Sequence, residues 1–256
     1  MKRTLRSFLY DLKKNCGRFF LISAVIFLLC TVFFASISLI RKLTSAELPL
    51  WVMSGMFVVL PYLLYIPAFV LPLMTFRRSV LGRDAMFMQS FPLPRSAFTA
   101  SMLLNTLIWT AVSRLLFAAL NTISLLLSEG TDKSALNTAL MLSFSRTGLL
   151  LGIVMFLYWY LAIVFLQLFI CAVSLLAALD PEKRGILAAV YGGIGGAMIV
   201  FSYTLVSSLT SETVTEVGSA GAAVLPQMLY FLTFSVFFGF VTAVVMKRIE
   251  LGRLEM

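Results

Sequence analysis

Six apolar runs, each long enough to cross a bilayer, constrain this chain more than any other feature. A hydrocarbon core about 30 Å thick is crossed by about 20 helical residues rising about 1.5 Å each. Residues 19–40, 50–76, 98–127, 147–179, 186–209 and 225–246 all reach that length. A chain that is 61% hydrophobic and only 12% charged falls outside the range of soluble domains. The expected fold class is an all-α integral membrane protein of six transmembrane helices, with residues 1–256 forming one membrane domain. The second, third and fourth runs exceed the minimum, which predicts tilt, kinks or extension beyond the bilayer. Pro61, Pro67 and Pro72 predict a kinked second helix. The first run is too long for a signal-peptide core and lacks a small-x-small cleavage site, so it is expected to remain as an anchor.

Orientation follows from the basic residues. Six Lys or Arg precede Phe19, four lie between Arg77 and Arg95, Lys183 and Arg184 form a pair, and three follow Met246. These 15 fall on one side of a six-span arrangement. Arg41, Lys42, Lys133 and Arg146 fall on the other, and Arg114 lies inside a run. The bias places both termini in the cytoplasm. It also accounts for the net charge of +9 through the anionic leaflet, with no nucleic-acid partner required.

Before the first run, Leu5, Phe8, Leu9, Leu12 and Cys16 recur at helical spacing, bordered by Lys2, Arg6 and Lys13. This pattern predicts an amphipathic helix over residues 1–18 lying in the membrane interface, with basic side chains reaching toward phosphates. A basic tail that only sets topology is the simpler alternative.

Several chemistries are excluded by what the chain lacks. It contains no histidine, so His-based triads and HExxH zinc sites are impossible. The eleven acidic residues all fall in expected loops, tails or span edges, leaving no buried carboxylate pair for acid–base work. No Gly-Lys dipeptide occurs, hence no P-loop. The three cysteines, Cys16, Cys30 and Cys171, suggest neither a disulfide nor a metal cluster by spacing. The chain is therefore not expected to be an enzyme or to bind a metal or cofactor itself.

Arg114 is the one charge in the middle of an apolar run. At 100° per residue, Thr99, Thr106, Thr110, Ser113, Arg114, Asn121 and Ser124 share an arc of about 100°. Leu104, Ile108, Val112, Leu115, Ala119 and Leu126 face elsewhere. The third span thus has a polar face that should avoid lipid. Thr106, Thr110, Ser113, Arg114 and Asn121 are candidates for a translocation path or a subunit interface. The alternative is that Arg114 snorkels outward or bonds a neighbouring helix.

In the fifth run, Ala188, Gly192 and Gly196 repeat at i+4, as do Ala189, Gly193 and Ala197. Small residues so spaced let helix backbones approach closely. Ala188, Gly192, Gly193 and Gly196 are the expected packing positions, within the bundle or between subunits.

Between the second and third runs, residues 77–97 read "RRSVLGRDAMFMQSFPLPRSA", on the cytoplasmic side. Met86, Phe87, Met88 and Phe91 lie close to Arg83 and Asp84, before Pro92 and Pro94 end any helix. Apolar anchors ringed by charge suit a docking surface for a soluble partner; an interfacial connector is the other reading.

This arrangement resembles the permease subunit of ABC-2 type transporters: a basic elbow, two spans, a cytoplasmic Gly-x-acidic-hydrophobic run closing on a Leu-Pro-like element, then four more spans. Gly82, Asp84, Pro92 and Ser96 fit the pattern. Where the family often carries two acidic residues and a glycine, this chain has Arg83, Asp84 and Ala85. The resemblance implies a multi-pass permease of a bacterial plasma membrane that pairs with a second permease subunit, identical or different. It also implies a coupling helix, with Gly82, Arg83, Asp84, Met86, Phe87, Phe91 and Pro92 contacting cytoplasmic P-loop ATPase subunits. ATP and Mg would belong to those partners. The alternative is a substrate-capturing or sensor membrane subunit without ATP-driven export.

Overall fold

The computed structural model describes residues 2–44, 61–81, 96–129, 146–180, 182–217 and 220–254. All regular structure among them is helical: α1 (Lys2–Thr44), a 3-10 turn at Leu63–Tyr65, α2 (Ile66–Leu81), α3 (Ser96–Glu129), α4 (Arg146–Ala177), α5 (Arg184–Val217) and α6 (Ala220–Leu254). Six stretches are long and apolar enough to cross a membrane: Phe8–Leu39, Leu63–Leu81, Ala97–Ile123, Gly152–Ala177, Arg184–Ser208 and Val224–Arg248. The chain is multi-pass by the length and composition of its helices.

The first element differs from the sequence pattern. Residues 1–18 were expected as an element apart from the first span, but Lys2–Thr44 is one helix. The segment holds no proline and a single glycine, Gly17, so nothing breaks the helix. Its buried residues are Asp11, Asn15, Phe19 and Ser23 at strict i+4 spacing, followed by Cys30 and Phe34. Of the apolar stripe read from sequence, Leu12 and Cys16 reach the core while Leu9 is half exposed.

Proline disturbs the second span locally. Pro67 has no N–H to offer the Leu63 carbonyl four residues back, and its ring crowds that oxygen. The Ile66 N–H bonds the Leu63 carbonyl instead, closing the 3-10 turn. Pro72 lies within α2.

Between α4 and α5 the chain turns tightly. The Ala178 and Leu179 amides donate to the Leu175 and Leu176 carbonyls at 3.1 and 3.2 Å, tightening the last turn of α4. An Asp180 carboxylate oxygen accepts from the Lys183 N–H at 3.4 Å, and Leu187 N–H donates to Lys183 O at 2.9 Å. Asp180 thereby satisfies one of the free amides at the start of α5. At the other end of α5, the stretch between the fifth and sixth apolar runs is helical through Val217 and again from Ala220.

The chain divides into two compact units. One comprises Leu9–Pro72 and Asn105–Phe156 and has its core at Phe19, Ala68, Leu71 and Trp109. There the Phe19 ring stacks on Trp109, centroids 4.3 Å apart and planes 23° from parallel. The other comprises Met1–Phe8, Leu73–Leu104 and Leu157–Met256. Its core is aromatic: Phe165, Tyr230 and Phe231, with Tyr158, Tyr203, Phe234 and Phe238 packed against them. Tyr203 stacks on Phe231 at 5.8 Å and 17°. The Tyr230 hydroxyl donates to the Ile199 carbonyl at 3.1 Å and lies 2.7 Å from Ser202 Oγ, so a polar tie accompanies the rings that join α5 to α6.

Candidate functional site

α3 carries its polar side inward. Thr106, Thr110 and Ser113 have no exposed surface, whereas Leu104, Leu107 and Leu115 are exposed. Leu115 exposes 72% of its surface, the reverse of a soluble helix, because the medium around a span is itself apolar. Thr99, Arg114 and Asn121, on the same arc, are half-buried. The side chain of Ser124 lies outside the described residues. In this conformation the three enclosed hydroxyls face protein.

Two buried polar residues of α3 escaped the sequence reading. Ser101 and Asn105 are each 1% exposed, on the far side of Trp109 from the Thr106–Ser113 arc. The usable signal is a second i+4 series, Ser101, Asn105, Trp109 and Ser113. The same spacing on α1 would have found Asp11 and Asn15. The eleven acidic residues were expected at loops and edges, but Asp11 is buried, at 6% exposure, inside the first apolar stretch. It is there because α1 continues unbroken through a segment expected to lie in the interface.

Ser113 links α3 to the broken start of the second span. Its hydroxyl donates to the Leu64 carbonyl at 2.8 Å. Prolines are tolerated in spans when neighbouring Ser or Thr side chains bond backbone groups freed nearby, and Ser113 does so here. Three enclosed polar atoms in the same unit, Ser23 Oγ, Trp109 Nε1 and Thr110 Oγ1, have no hydrogen-bond partner among the described residues.

Arg114 sits one residue on. Its guanidinium carbon lies 5.1 Å from the centroid of the Phe117 ring, one turn along α3. Tyr62 and Tyr65 approach that ring at 5.2 and 6.1 Å, and the Tyr65 hydroxyl is within electrostatic reach of the guanidinium.

In α5, a methyl group added at Gly195 would fall 2.8 Å from Phe169 Cε2. This is the glycine held against a neighbour, and the i+4 stripe did not include it. Gly192 is 3.9 Å from Val173 Cγ1, while Gly193 and Gly196 meet nothing within 4 Å, and Ala188 is half-buried. The coupling positions Gly82, Arg83, Asp84, Met86, Phe87, Phe91 and Pro92 lie outside the described residues. Among the described residues, no three metal-ligating Cys, Asp or Glu side chains come together.

Six apolar helices with polar side chains turned inward define a multi-pass α-helical membrane protein. No family model, curated protein or solved structure matches the chain.

Proposed function

We propose that this chain is the transmembrane permease subunit of an ABC-2 type exporter. In this reading it moves a substrate out across a bacterial plasma membrane with ATP hydrolysed by a separate cytoplasmic subunit. Both termini are cytoplasmic, the basic start of α1 meets the inner leaflet, and the 82–92 segment is the coupling helix that receives the ATPase. Two permease subunits, identical or different, pair to form the path.

The observation that carries the reading is the polar face of α3, where Thr106, Thr110 and Ser113 are enclosed inside a span. A protein that only anchored a partner would have no use for such a seam, whose buried polar groups are costly in an apolar interior. Among the described residues, Ser23, Trp109 and Thr110 hold polar atoms without hydrogen-bond partners, which a rearranged, hydrated state of the seam would satisfy. The order of elements supports the same reading: two spans, the "GRDAMFMQSFP" segment, then four spans.

The test is purification in mild detergent, comparing wild type with Phe87→Glu, with co-eluting chains identified and ATP hydrolysis measured. A P-loop ATPase that co-elutes with wild type and is lost or uncoupled in Phe87→Glu is the expected result. Wild-type protein that brings down no ATPase and hydrolyses no nucleotide defeats the proposal in favour of a ligand-capturing subunit.

A further inference from the structure

Arg114 carries a permanent charge inside an apolar stretch, and nothing in the described protein neutralises it. Asp11 is the one acidic residue that falls within the six candidate spans. The neighbours that the described residues give Arg114 are the Phe117 ring and the Tyr65 hydroxyl, and neither carries an opposite charge. The Phe117 face at 5.1 Å offers a cation–π contact, which offsets part of the desolvation but leaves the charge in place. Tyr62 and Tyr65 extend that face into an aromatic wall, their rings 6.4 Å apart. Arg114 as a residue is half-buried. A planar, always-charged fork of donors at the end of an aromatic wall is matched by an oxyanion attached to something apolar.

We propose that Arg114, Phe117, Tyr62 and Tyr65 form a binding site for the acidic headgroup of an amphiphile, a phosphate or carboxylate carried on an apolar tail. Arg114 takes the oxyanion through paired N–H donors, the half-buried Tyr62 ring lies along the tail, and the buried Phe117 and Tyr65 rings hold the guanidinium and Tyr62 in place. Binding of this kind is independent of the export reading, which would add only that the bound amphiphile is moved.

The test uses the full chain in a neutral detergent, with native mass spectrometry reading bound ligand. Dodecyl phosphate, laurate and dodecanol share a tail and differ in the head; inorganic phosphate supplies the head alone. Wild type should retain dodecyl phosphate and laurate well above dodecanol. Arg114→Gln should weaken both by about tenfold, the scale of one lost charge-assisted contact. Arg114→Lys should fall between, because a point charge loses the paired geometry. Phe117→Leu, which keeps the charge, should weaken retention several-fold and carries the test if Arg114→Gln fails to fold. Equal retention of all three amphiphiles by wild type, or undiminished retention by folded Arg114→Gln, overturns the site. Inorganic phosphate displacing dodecyl phosphate at equal concentration overturns the amphiphile assignment in favour of a free anion. None of these readouts requires an ATPase, so they stand or fall apart from the co-purification experiment.

Discussion

The Ser113 hydroxyl donates to the Leu64 carbonyl at 2.8 Å across 49 residues of sequence, joining the polar face of α3 to the proline-disturbed start of the second span. Hydrogen bonds between spans average about 0.6 kcal/mol and reach about 1.7 kcal/mol. Ser113→Ala should therefore lower stability by about 0.6 to 1.7 kcal/mol in detergent unfolding. Thr122→Ala is the control: Thr122 is on the same helix and, among the described residues, its hydroxyl bonds the Ala118 carbonyl of that helix, so its change should stay within about 0.5 kcal/mol. Equal losses in the two variants would remove the inter-helix role of Ser113.

Trp109 anchors the unit that contains it, buried at 3% exposure and stacked on Phe19. Trp109→Ala should cost about 3 to 5 kcal/mol, the range for large buried aromatics. Trp109→Phe keeps a ring against Phe19 and discards the Nε1–H, which has no partner among the described residues, so its cost should be much smaller. Thermal unfolding of the two variants in parallel separates ring packing from indole hydrogen bonding.

Gly195 and Gly193 are two residues apart and should respond oppositely to alanine. At Gly195 the new methyl group meets Phe169 at 2.8 Å, and the Phe169 ring is itself packed on Phe238 at 5.2 Å. That ring has to move, at a cost of about 1 to 3 kcal/mol. At Gly193 nothing lies within 4 Å, so alanine should be neutral or stabilise α5 by up to about 1 kcal/mol through helix propensity. Unfolding midpoints report both, and a destabilised Gly193→Ala whose loss depends on protein concentration would instead mark that face as a contact between subunits.

Tyr230→Phe keeps the aromatic cluster and removes the hydroxyl that serves Ile199 and Ser202. The expected loss is about 0.5 to 1.5 kcal/mol. Tyr203→Phe should lose less, since its hydroxyl is 3.4 Å from that of Tyr158.

Much of the fold was legible in residue order because spans are long and local. The fourth span, expected over 147–179, is the helix Arg146–Ala177. Of the polar arc of the third span, Thr106, Thr110 and Ser113 are enclosed by protein. Asp11, Asn15, Ser101 and Asn105 were missed because they lie off the faces that the apolar stripe of residues 5–16 and the Thr106–Ser113 arc defined. Their significance lies in the i+4 register with Phe19 and Trp109, which shows only once those rings are seen to meet. Gly195 was missed for a related reason, since spacing identifies which residues share a face but not which face has a neighbour.

Apolar length alone determined that this chain forms six helices long and apolar enough to cross a membrane, because a lipid-embedded backbone must bond to itself within each span. The absence of histidine alone removed whole classes of catalysis. Only the tertiary structure decided that α1 runs unbroken through residue 18, that Gly195 is the close-packed glycine, and that Arg114 lies against Phe117 beside Tyr65. Those outcomes depend on which helix faces meet. In an apolar medium that choice rests on steric fit and a few polar contacts between residues far apart in sequence, and hydropathy carries no record of either.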